Sequence, residues 1–140
     1  MVGLLGEEPI MKPGLFQSGR FTLASGHTTD FKIECDALTD DDWQTIGHLL
    51  RTRLRPFGDV VGVPRGGLKL AEVMKQYITP GEPKLLIVDD VYTTGGSIRK
   101  FCADYYPIPM IGAVVFARRR PDHWITPLFS MDCGYFYDDF

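Results

Sequence analysis

The sequence predicts an α/β fold with a central, mainly parallel sheet of about four strands and flanking helices. Three apolar runs, at residues 60–63, 85–88 and 111–116, alternate with stretches in which apolar side chains recur every three or four positions. Strands that are apolar on both sides are typical of a parallel sheet covered by helices on both faces. Polar, glycine-rich or charged residues follow all three runs, so we expect a ligand site at the carboxyl ends of the strands.

Length and composition predict one domain. The chain has 140 residues, of which 44% are hydrophobic and 24% are charged, and domains usually have about 100–200 residues. We divide it into an N-terminal hood or flap segment at residues 1–38 and an α/β core at residues 39–140. The formal charge of −3 argues against nonspecific binding of nucleic acid, which requires a positive surface.

Neither a membrane location nor secretion is predicted. The longest apolar runs fall far short of the roughly 20 residues that span a bilayer, and no basic leader precedes Glu7 and Glu8. Cys35, Cys102 and Cys133 are odd in number and widely separated, which argues against a disulfide framework and a zinc site. We therefore expect a cytoplasmic protein.

The N-terminal segment is predicted to form a small hairpin or flap. Apolar and polar residues alternate at residues 21–23 and 31–33, which is the period of a half-buried strand, and residues 25–29 between them are typical of a turn. Phe21 and Phe31 could stack on a planar ring or pack the flap itself, and packing is the favoured interpretation.

The first helix is predicted to begin after Thr39. This threonine is a favourable N-cap, and the acidic residues 40–42 place negative charge in the first turn, where the helix dipole favours it. We prefer this explanation of the acids to a metal site. The apolar stripe that follows consists of Trp43, Ile46, Leu50 and Leu54.

Two more helices are predicted between the strands. One covers the helically spaced residues Leu68, Ala71, Met74 and Ile78. The other follows residues 93–97 and runs to Cys102. Because three clear strands make a small sheet, we expect a further strand from residues 124–136 or from a partner subunit.

The segment most informative about chemistry begins with the apolar run at residues 85–88. Asp89 and Asp90 follow it, and then come Thr93, Thr94, Gly95, Gly96 and Ser97. Glycines let backbone N–H groups approach a phosphate, hydroxyl groups add donors, and the start of a helix favours an anion. Ionised carboxylates accept hydrogen bonds from a diol. The pattern therefore predicts a sugar phosphate ligand, and the alternative is an ordinary glycine-containing turn with a capping aspartate.

Residues 85–97 resemble the phosphoribosyl diphosphate (PRPP) signature of the type I phosphoribosyltransferases, with Tyr92 where a smaller aliphatic residue is usual. Two lesser matches, at residues 16–26 and 60–71, are similar to segments of the orotate phosphoribosyltransferases. The resemblance extends from about residue 16 to residue 120. It implies a type I phosphoribosyltransferase, most like the orotate enzymes.

By this resemblance, Asp89 and Asp90 hold the ribose hydroxyls, and residues 93–97 wrap the 5′-phosphate of PRPP. The diphosphate contacts a loop whose backbone conformation is often unusual in the family; here it consists of Val63, Pro64, Arg65, Gly66 and Gly67. Mg²⁺ is carried with PRPP, near the two aspartates. The implied reaction transfers the phosphoribosyl group to a ring nitrogen of a nucleobase and releases diphosphate, and no protein nucleophile is assigned.

Arg118 follows the third apolar run, in the place where the orotate enzymes have an arginine that reads the base. The resemblance implies that Arg118, with Phe21 and Ser25, contacts the base, and a guanidinium fork matches an acidic pyrimidine. The family usually has an aspartate before that arginine, whereas Ala117 stands here. A solvated basic cluster at residues 118–120, binding a partner or nucleic acid, is an equally weighted alternative.

The chain departs from the orotate enzymes between Gly67 and Asp89. Asp89 lies 22 positions after Gly67, which is enough for one helix and a return turn. The orotate enzymes have an extra strand there and a mobile catalytic loop with a lysine; the lysines here are Lys69, Lys75 and Lys84. Lacking that loop, the chain is expected to catalyse slowly, to use a lid from another subunit, or to bind PRPP without turnover.

The favoured function is an orotate-like phosphoribosyltransferase of pyrimidine biosynthesis, a glycosyltransferase of nucleotide metabolism that acts as a homodimer on PRPP and a nucleobase. The first alternative is a non-catalytic PRPP- or nucleotide-binding regulator with the same fold. A nucleic-acid-associated protein that uses the arginines at residues 118–120 and a sugar-phosphate hydrolase that uses Asp89 are weaker alternatives.

Overall fold

An antiparallel hairpin and a parallel sheet form the framework of the computed structural model, which describes residues 14–22, 26 and 28–131. The hairpin consists of β1 (Phe16–Thr22) and β2 (Thr28–Ile33). It lies where the alternating pattern predicted two strands, but both strands begin earlier than the pattern indicated. Thr28 and Thr29, which were expected in the turn, belong to β2, where they pair with Thr22 and Phe21. A role of this hairpin as a flap over a ligand stays a prediction.

The core sheet has four parallel strands in the order β3-β4-β5-β6. They are β3 (Asp59–Gly62), β4 (Leu85–Tyr92), β5 (Met110–Ala117) and β6 (Ile125–Ser130). The predicted parallel sheet of about four strands is therefore confirmed. β6 supplies the strand that was expected within residues 124–136.

Helix α1 (Asp40–Arg51) begins where the sequence predicts. Its start is a capping box: the Asp42 backbone N–H donates to the Thr39 hydroxyl oxygen at 3.1 Å, and the Thr39 N–H donates to the Asp42 carboxylate at 2.9 Å. The apolar stripe is buried as far as Leu50, but the helix ends before Leu54, so the predicted stripe is one turn too long.

Helices cover both faces of the sheet. Each of the two remaining helices ends in a 3-10 turn: α2 (Leu68–Met74, then Lys75–Tyr77) and α3 (Gly96–Cys102, then Ala103–Tyr105). α1 and α2 pack against Leu86 and Val88 of β4, whereas α3 packs against Leu85 and Ile87 on the other face. Over the described residues, no helix has the length and apolar character needed to cross a membrane.

The two helical crossovers of the sheet have opposite hands. The connections β3–α2–β4 and β4–α3–β5 both move one strand along the sheet in the same direction, but α2 and α3 lie on opposite faces. Because about 98% of such crossovers are right-handed, one of these two is an exception. The apolar pattern cannot indicate this, since a strand buried on both sides does not show which face the next helix covers.

Candidate functional site

Two loops at the carboxyl edge of the sheet carry most of the predicted site residues. The β3 loop (residues 63–67) follows β3, and the β4 loop (residues 93–97) follows β4 and leads into α3. Since β3 and β4 are parallel neighbours, both loops lie at the same edge of the sheet.

Strand β4 carries the acid pair and directs its two members to different cavities. Asp89 lines a small cavity of about 20 Å³ with three residues of the β4 loop. Asp90 lines a cavity of about 300 Å³ with Arg65 and Gly66 of the β3 loop. The acids lie within the strand and not after it, because β4 continues to Tyr92. One carboxyl group therefore faces each loop.

Burial keeps the Asp89 carboxyl protonated near neutral pH. Asp89 is 8% exposed, and its desolvation, together with the negative charge of Asp90, raises the pKa of Asp89 to about 8 from an ordinary value of 3.8. The Asp90 backbone N–H donates to Asp89 Oδ1 at 2.8 Å, and the Val91 N–H donates to Asp90 Oδ1 at 2.7 Å. A buried, uncharged carboxyl group is a poor nucleophile, which argues against the sugar-phosphate hydrolase.

The backbone of the β3 loop follows β4 closely. The Val63 N–H donates to the Val88 carbonyl oxygen at 2.9 Å, and the Gly67 N–H donates to the Val63 carbonyl oxygen at 2.8 Å. The peptide bond between Pro64 and Arg65 is cis. The Arg65 side chain is exposed and makes no hydrogen bond or ion pair with the residues that the structure describes. Its guanidinium is available to an anion at this edge.

Two glycines of the β3 loop are required by close contacts. A Cβ atom at Gly66 would collide with the Asp90 carboxylate, and one at Gly67 would collide with the Val88 carbonyl oxygen. A side chain at either position would push the loop away from β4. The loop can therefore approach the acid pair only because these two residues have no side chain.

The β4 loop presents backbone donors. Gly95 has a φ of +87°, a left-handed conformation that glycine adopts without strain. The backbone N–H groups of Thr93, Thr94 and Gly95 contact no acceptor within the described part of the chain. Successive unpaired N–H groups in a turn form a concave binding site for an anion.

A side-chain network that sequence reasoning missed braces the β4 loop. The Arg99 guanidinium donates to both carboxylate oxygens of Asp122 at 2.8 Å, and to the Tyr92 hydroxyl and the Thr94 carbonyl oxygen at 3.0 Å. The hydrogen bonds between Arg99 and Asp122 raise the pKa of the Arg99 guanidinium and lower the pKa of the Asp122 carboxyl group. Tyr92, the residue that departs from the family signature, was a signal that could have pointed to this network.

Arg118 joins the end of β5 to the hairpin. It is 4% exposed; its guanidinium donates to the Thr29 hydroxyl at 3.3 Å and the Phe31 carbonyl oxygen at 3.0 Å, and lies 4.0 Å from the centroid of the Phe31 ring. Its Nε atom is buried and has no hydrogen-bond partner among the described residues. A solvated basic cluster therefore does not include Arg118.

The other residues predicted to contact the base belong to the hairpin region. Phe21 is half-buried in β1, and the Lys32 ammonium lies 6.0 Å from the centroid of its ring. The Phe21 ring also passes close to Gly19, where a Cβ atom would come within 3.1 Å of it. Ser25 lies outside the described residues.

The connection from α2 to β4 runs away from the acid pair. The Thr79 N–H donates to the Phe57 carbonyl oxygen at 2.8 Å, and the Gly58 N–H donates to the Lys84 carbonyl oxygen at 2.8 Å. Phe57 and Gly58 precede β3, and Lys84 precedes β4, so this connection lies at the amino edge of the sheet. The structure describes every residue from 67 to 89 and has neither a further strand there nor a loop that returns to the carboxyl edge.

Comparison with known sequences gives distant relatives. No family model matches the chain. The orotate phosphoribosyltransferases of Thermotoga petrophila and Thermotoga maritima are each 28% identical to it, over 67% of this chain and 64% of theirs. The chain thus spans less than two thirds of the length of these curated relatives.

Comparison with solved structures shows the fold. The orotate phosphoribosyltransferase from Aeropyrum pernix gives a TM-score of 0.67 at 20% identity and covers 84% of this chain and 89% of that one. The Mycobacterium tuberculosis enzyme in complex with PRPP gives 0.61 at 18% identity, with 82% and 89% covered. The chain has the type I phosphoribosyltransferase fold. The expected resemblance to this family, most like the orotate enzymes, is confirmed.

Within this type I phosphoribosyltransferase fold, the predicted site residues form two groups. The β3 loop, the acid pair and the β4 loop come together at the carboxyl edge of β3 and β4. Arg118 and Phe21 belong to the contact between β5 and the hairpin. The first group presents backbone donors and the Arg65 guanidinium to an anionic ligand, and the second adds a buried guanidinium beside an aromatic ring.

Proposed function

We propose that the chain is a phosphoribosyltransferase, which transfers the 5-phosphoribosyl group of PRPP to a ring nitrogen of a nucleobase and releases diphosphate. The observation that carries this proposal is a pair of anion-receptive loops on neighbouring strands, with one carboxyl group facing each loop. PRPP has a matching layout, since a monophosphate and a diphosphate lie on either side of its ribose hydroxyls. Similarity to the orotate phosphoribosyltransferases, one of them solved with PRPP, supports the same ligand.

The β4 loop binds the 5′-phosphate in this proposal. The unpaired N–H groups of Thr93, Thr94 and Gly95 are its donors, with the exposed Ser97 beside them. The cavity behind the loop, at about 20 Å³, has room for about one water molecule, so the phosphate binds on the outer side. The Arg99 network holds the loop in place before the ligand arrives, which reduces the entropy lost on binding.

The β3 loop binds the diphosphate, and the acid pair binds the ribose. Breaking the anomeric bond leaves positive charge on the sugar and places negative charge on the diphosphate. The unpaired Arg65 guanidinium stabilises that leaving charge. Near neutral pH the protonated Asp89 can both donate to and accept from a ribose hydroxyl. No protein nucleophile is needed.

Mg²⁺ fits this site as an ion carried by PRPP. The described residues contain no group of three or more His, Cys, Asp or Glu side chains that could hold a metal by themselves. Mg²⁺ is usually bound by one or two carboxylates, with phosphates and waters completing the octahedron. Asp90, which faces the larger cavity beside Arg65, is the residue placed to share the ion with the diphosphate. When bound, the ion offsets the charge of the leaving group.

An acidic pyrimidine such as orotate is the proposed base. Arg118 supports this choice, because its buried Nε has no hydrogen-bond partner among the described residues and a carboxylate or imide oxygen would satisfy it. The Phe31 ring stacked on the same guanidinium adds a flat apolar surface at this position. Such a substrate places the reaction in pyrimidine nucleotide synthesis.

A second candidate is a regulator that binds PRPP without turnover. It is favoured by the path of the α2–β4 connection, which lies at the amino edge of the sheet and leaves the β3 loop uncovered by that segment. Closing segments exclude water and complete catalytic sites in many enzymes. The same loops and acids would bind PRPP in either case, so binding and turnover have to be measured separately.

Binding is tested by titration calorimetry with PRPP and Mg²⁺. We expect the double variant Asp89→Asn/Asp90→Asn to lose at least about 10-fold in affinity, because it removes the negative charge of Asp90, which is proposed to share Mg²⁺ with the diphosphate, and weakens the hydrogen bonds of both side chains to the ribose. Asp104→Asn, which changes an exposed acid in the 3-10 turn after α3, is the control and should bind like the unmodified chain. Unchanged affinity in the double variant would overturn the proposed site.

Turnover is tested by measuring diphosphate release with PRPP, Mg²⁺ and a panel of bases that includes orotate. Release that depends on one base supports the transferase and identifies its substrate. Tight PRPP binding without release for any base supports the regulator. A chain that does not bind PRPP at all contradicts both.

A further inference from the structure

We propose that Lys69 binds the diphosphate of PRPP and supplies, from helix α2, a positive charge beside Arg65. The inference rests on the proposed function and adds a residue to its site. Lys69 lies in the first turn of α2, four positions after Arg65. The sequence has three lysines between Gly67 and Asp89, an interval too short for a loop that covers the site. Only the tertiary structure shows which of the three lies near the β3 loop.

Lys69 and Arg65 line the same cavity. This cavity, of about 300 Å³, lies between the β3 loop, the start of α1 and the segment that follows β2, and Asp36 and Asp90 are its acidic residues. Cys35, also in its wall, is uncharged, because burial raises the pKa of its thiol to about 12. The cavity therefore combines two cations, Arg65 and Lys69, with two carboxylates, of which Asp90 is the one proposed to share Mg²⁺. Cations bind the diphosphate oxygens directly, and a carboxylate binds the metal ion that the diphosphate carries.

The present partner of Lys69 can be displaced. Its ammonium lies 3.4 Å from the Asp40 carboxylate, and the two side chains are 64% and 94% exposed. Ion pairs between groups as exposed as these contribute little to stability. A diphosphate carries more negative charge than one carboxylate, so we expect Lys69 to leave Asp40 when PRPP binds.

The other two lysines of the interval are excluded by their positions. Lys75 pairs with Glu72 at 3.3 Å on the exposed side of α2 and does not line the cavity. Lys84 precedes β4 at the amino edge of the sheet, where its carbonyl oxygen accepts from the Gly58 N–H. Of the three, Lys69 alone lies beside the β3 loop.

The experiment compares Lys69→Gln with Lys75→Gln by calorimetry, using PRPP with Mg²⁺, inorganic diphosphate with Mg²⁺, and ribose 5-phosphate. Each variant removes one exposed lysine that forms one weak ion pair, Lys69 in α2 and Lys75 in the 3-10 turn that follows it, so they are matched. We expect Lys69→Gln to bind PRPP and diphosphate roughly 10-fold more weakly and ribose 5-phosphate unchanged. Lys75→Gln should bind all three ligands like the unmodified chain. Lys69→Arg should retain most of the affinity, because the charge is kept.

The ligands distinguish the ways in which the proposal can fail. Equal loss of affinity for PRPP and ribose 5-phosphate in Lys69→Gln would mean that the lysine supports the fold and not the diphosphate. Unchanged diphosphate affinity would mean that Lys69 does not contact it. Either result overturns the inference and leaves the proposed function intact, whereas an unmodified chain that does not bind PRPP overturns both.

Discussion

Replacement of Asp89 by asparagine is expected to stabilise the folded protein near pH 8 and to leave its stability almost unchanged near pH 4. Asp89 is buried in β4, and the desolvation of its carboxyl group and the neighbouring charge of Asp90 both oppose its ionisation. Asparagine has nearly the same shape, and its Oδ1 can still accept the Asp90 backbone N–H that Asp89 accepts at 2.8 Å. The substitution therefore removes the titration and keeps the local contact.

The size of the effect follows from proton linkage. The pKa of Asp89 is about 8 in the folded protein and takes its ordinary value of 3.8 in the unfolded chain. Between these values the folded state binds more protons, so stability falls as pH rises, by about 1.4 kcal/mol per unit and by an upper bound of about 6 kcal/mol in total. Because water and nearby dipoles relax around a buried ionised group, we expect about 2–4 kcal/mol. Above pH 8 both states are ionised and the loss is constant.

The assay is urea unfolding at several values between about pH 4 and pH 8.5. It is followed by tryptophan fluorescence, to which Trp43, 4% exposed, and the half-buried Trp124 both contribute. The free energy of unfolding of Asp89→Asn should exceed that of the unmodified chain by an amount that grows with pH. Asp104→Asn, at an exposed acid, should show no such growth. A difference between Asp89→Asn and the unmodified chain that is the same at both ends of the pH range would mean that Asp89 is ionised when folded, and the burial argument would be wrong.

Three further substitutions test the loops and the hairpin. Tyr92→Phe removes the hydroxyl that accepts from Arg99 at 3.0 Å, so ribose 5-phosphate should bind about 3- to 10-fold more weakly in calorimetry, with about 1 kcal/mol of stability lost. Gly67→Ala drives a Cβ atom against the Val88 carbonyl oxygen, so urea unfolding should show a loss of about 3 kcal/mol or more. Arg118→Gln removes two hydrogen bonds and a ring contact to β2, so amide hydrogen exchange in β1 and β2 should accelerate by about 10-fold or more.

Each of these variants has a matched control. Tyr105→Phe changes a half-buried tyrosine whose hydroxyl has no hydrogen bond to the described residues, and phosphate affinity should stay the same. Gly96→Ala places a Cβ atom 3.6 Å from its nearest neighbour and should cost less than about 0.5 kcal/mol. Arg55→Gln, at an exposed arginine after α1, should leave the exchange of the hairpin unchanged. Equal effects in a variant and its control would contradict the corresponding contact.

Local patterns were sufficient to predict most elements of the fold. Thr39 caps α1 as its side chain and the following acids indicated, because capping acts within one helical turn. The three apolar runs form β3, β4 and β5, because a continuous apolar run is stable as a strand only when both of its faces are covered. Element ends were predicted less well: β4 continues through the acid pair to Tyr92, since the paired β5 extends alongside it.

The candidate site was predicted in its composition and not in its arrangement. The β3 loop, the acid pair and the β4 loop were all named from the sequence, and their adjacency follows from parallel strands whose carboxyl ends share one edge. The separation of Asp89 and Asp90 into different cavities was not foreseen. Neither was the Arg99–Asp122 contact, whose members lie 23 positions apart and carry no pattern that links them.

By itself, the sequence determined the parallel sheet, the helix start at Thr39 and the two glycine-containing loops, because periodicity, capping and turn chemistry depend on residues a few positions apart. The tertiary structure alone decided that α2 and α3 cover opposite faces of the sheet. It alone placed Lys69 in one cavity with Asp90 and brought Arg118 into hydrogen-bond contact with the hairpin. Arg118 and Thr29 are 89 positions apart in the chain. Such contacts depend on how the layers pack, which no local pattern of residues specifies.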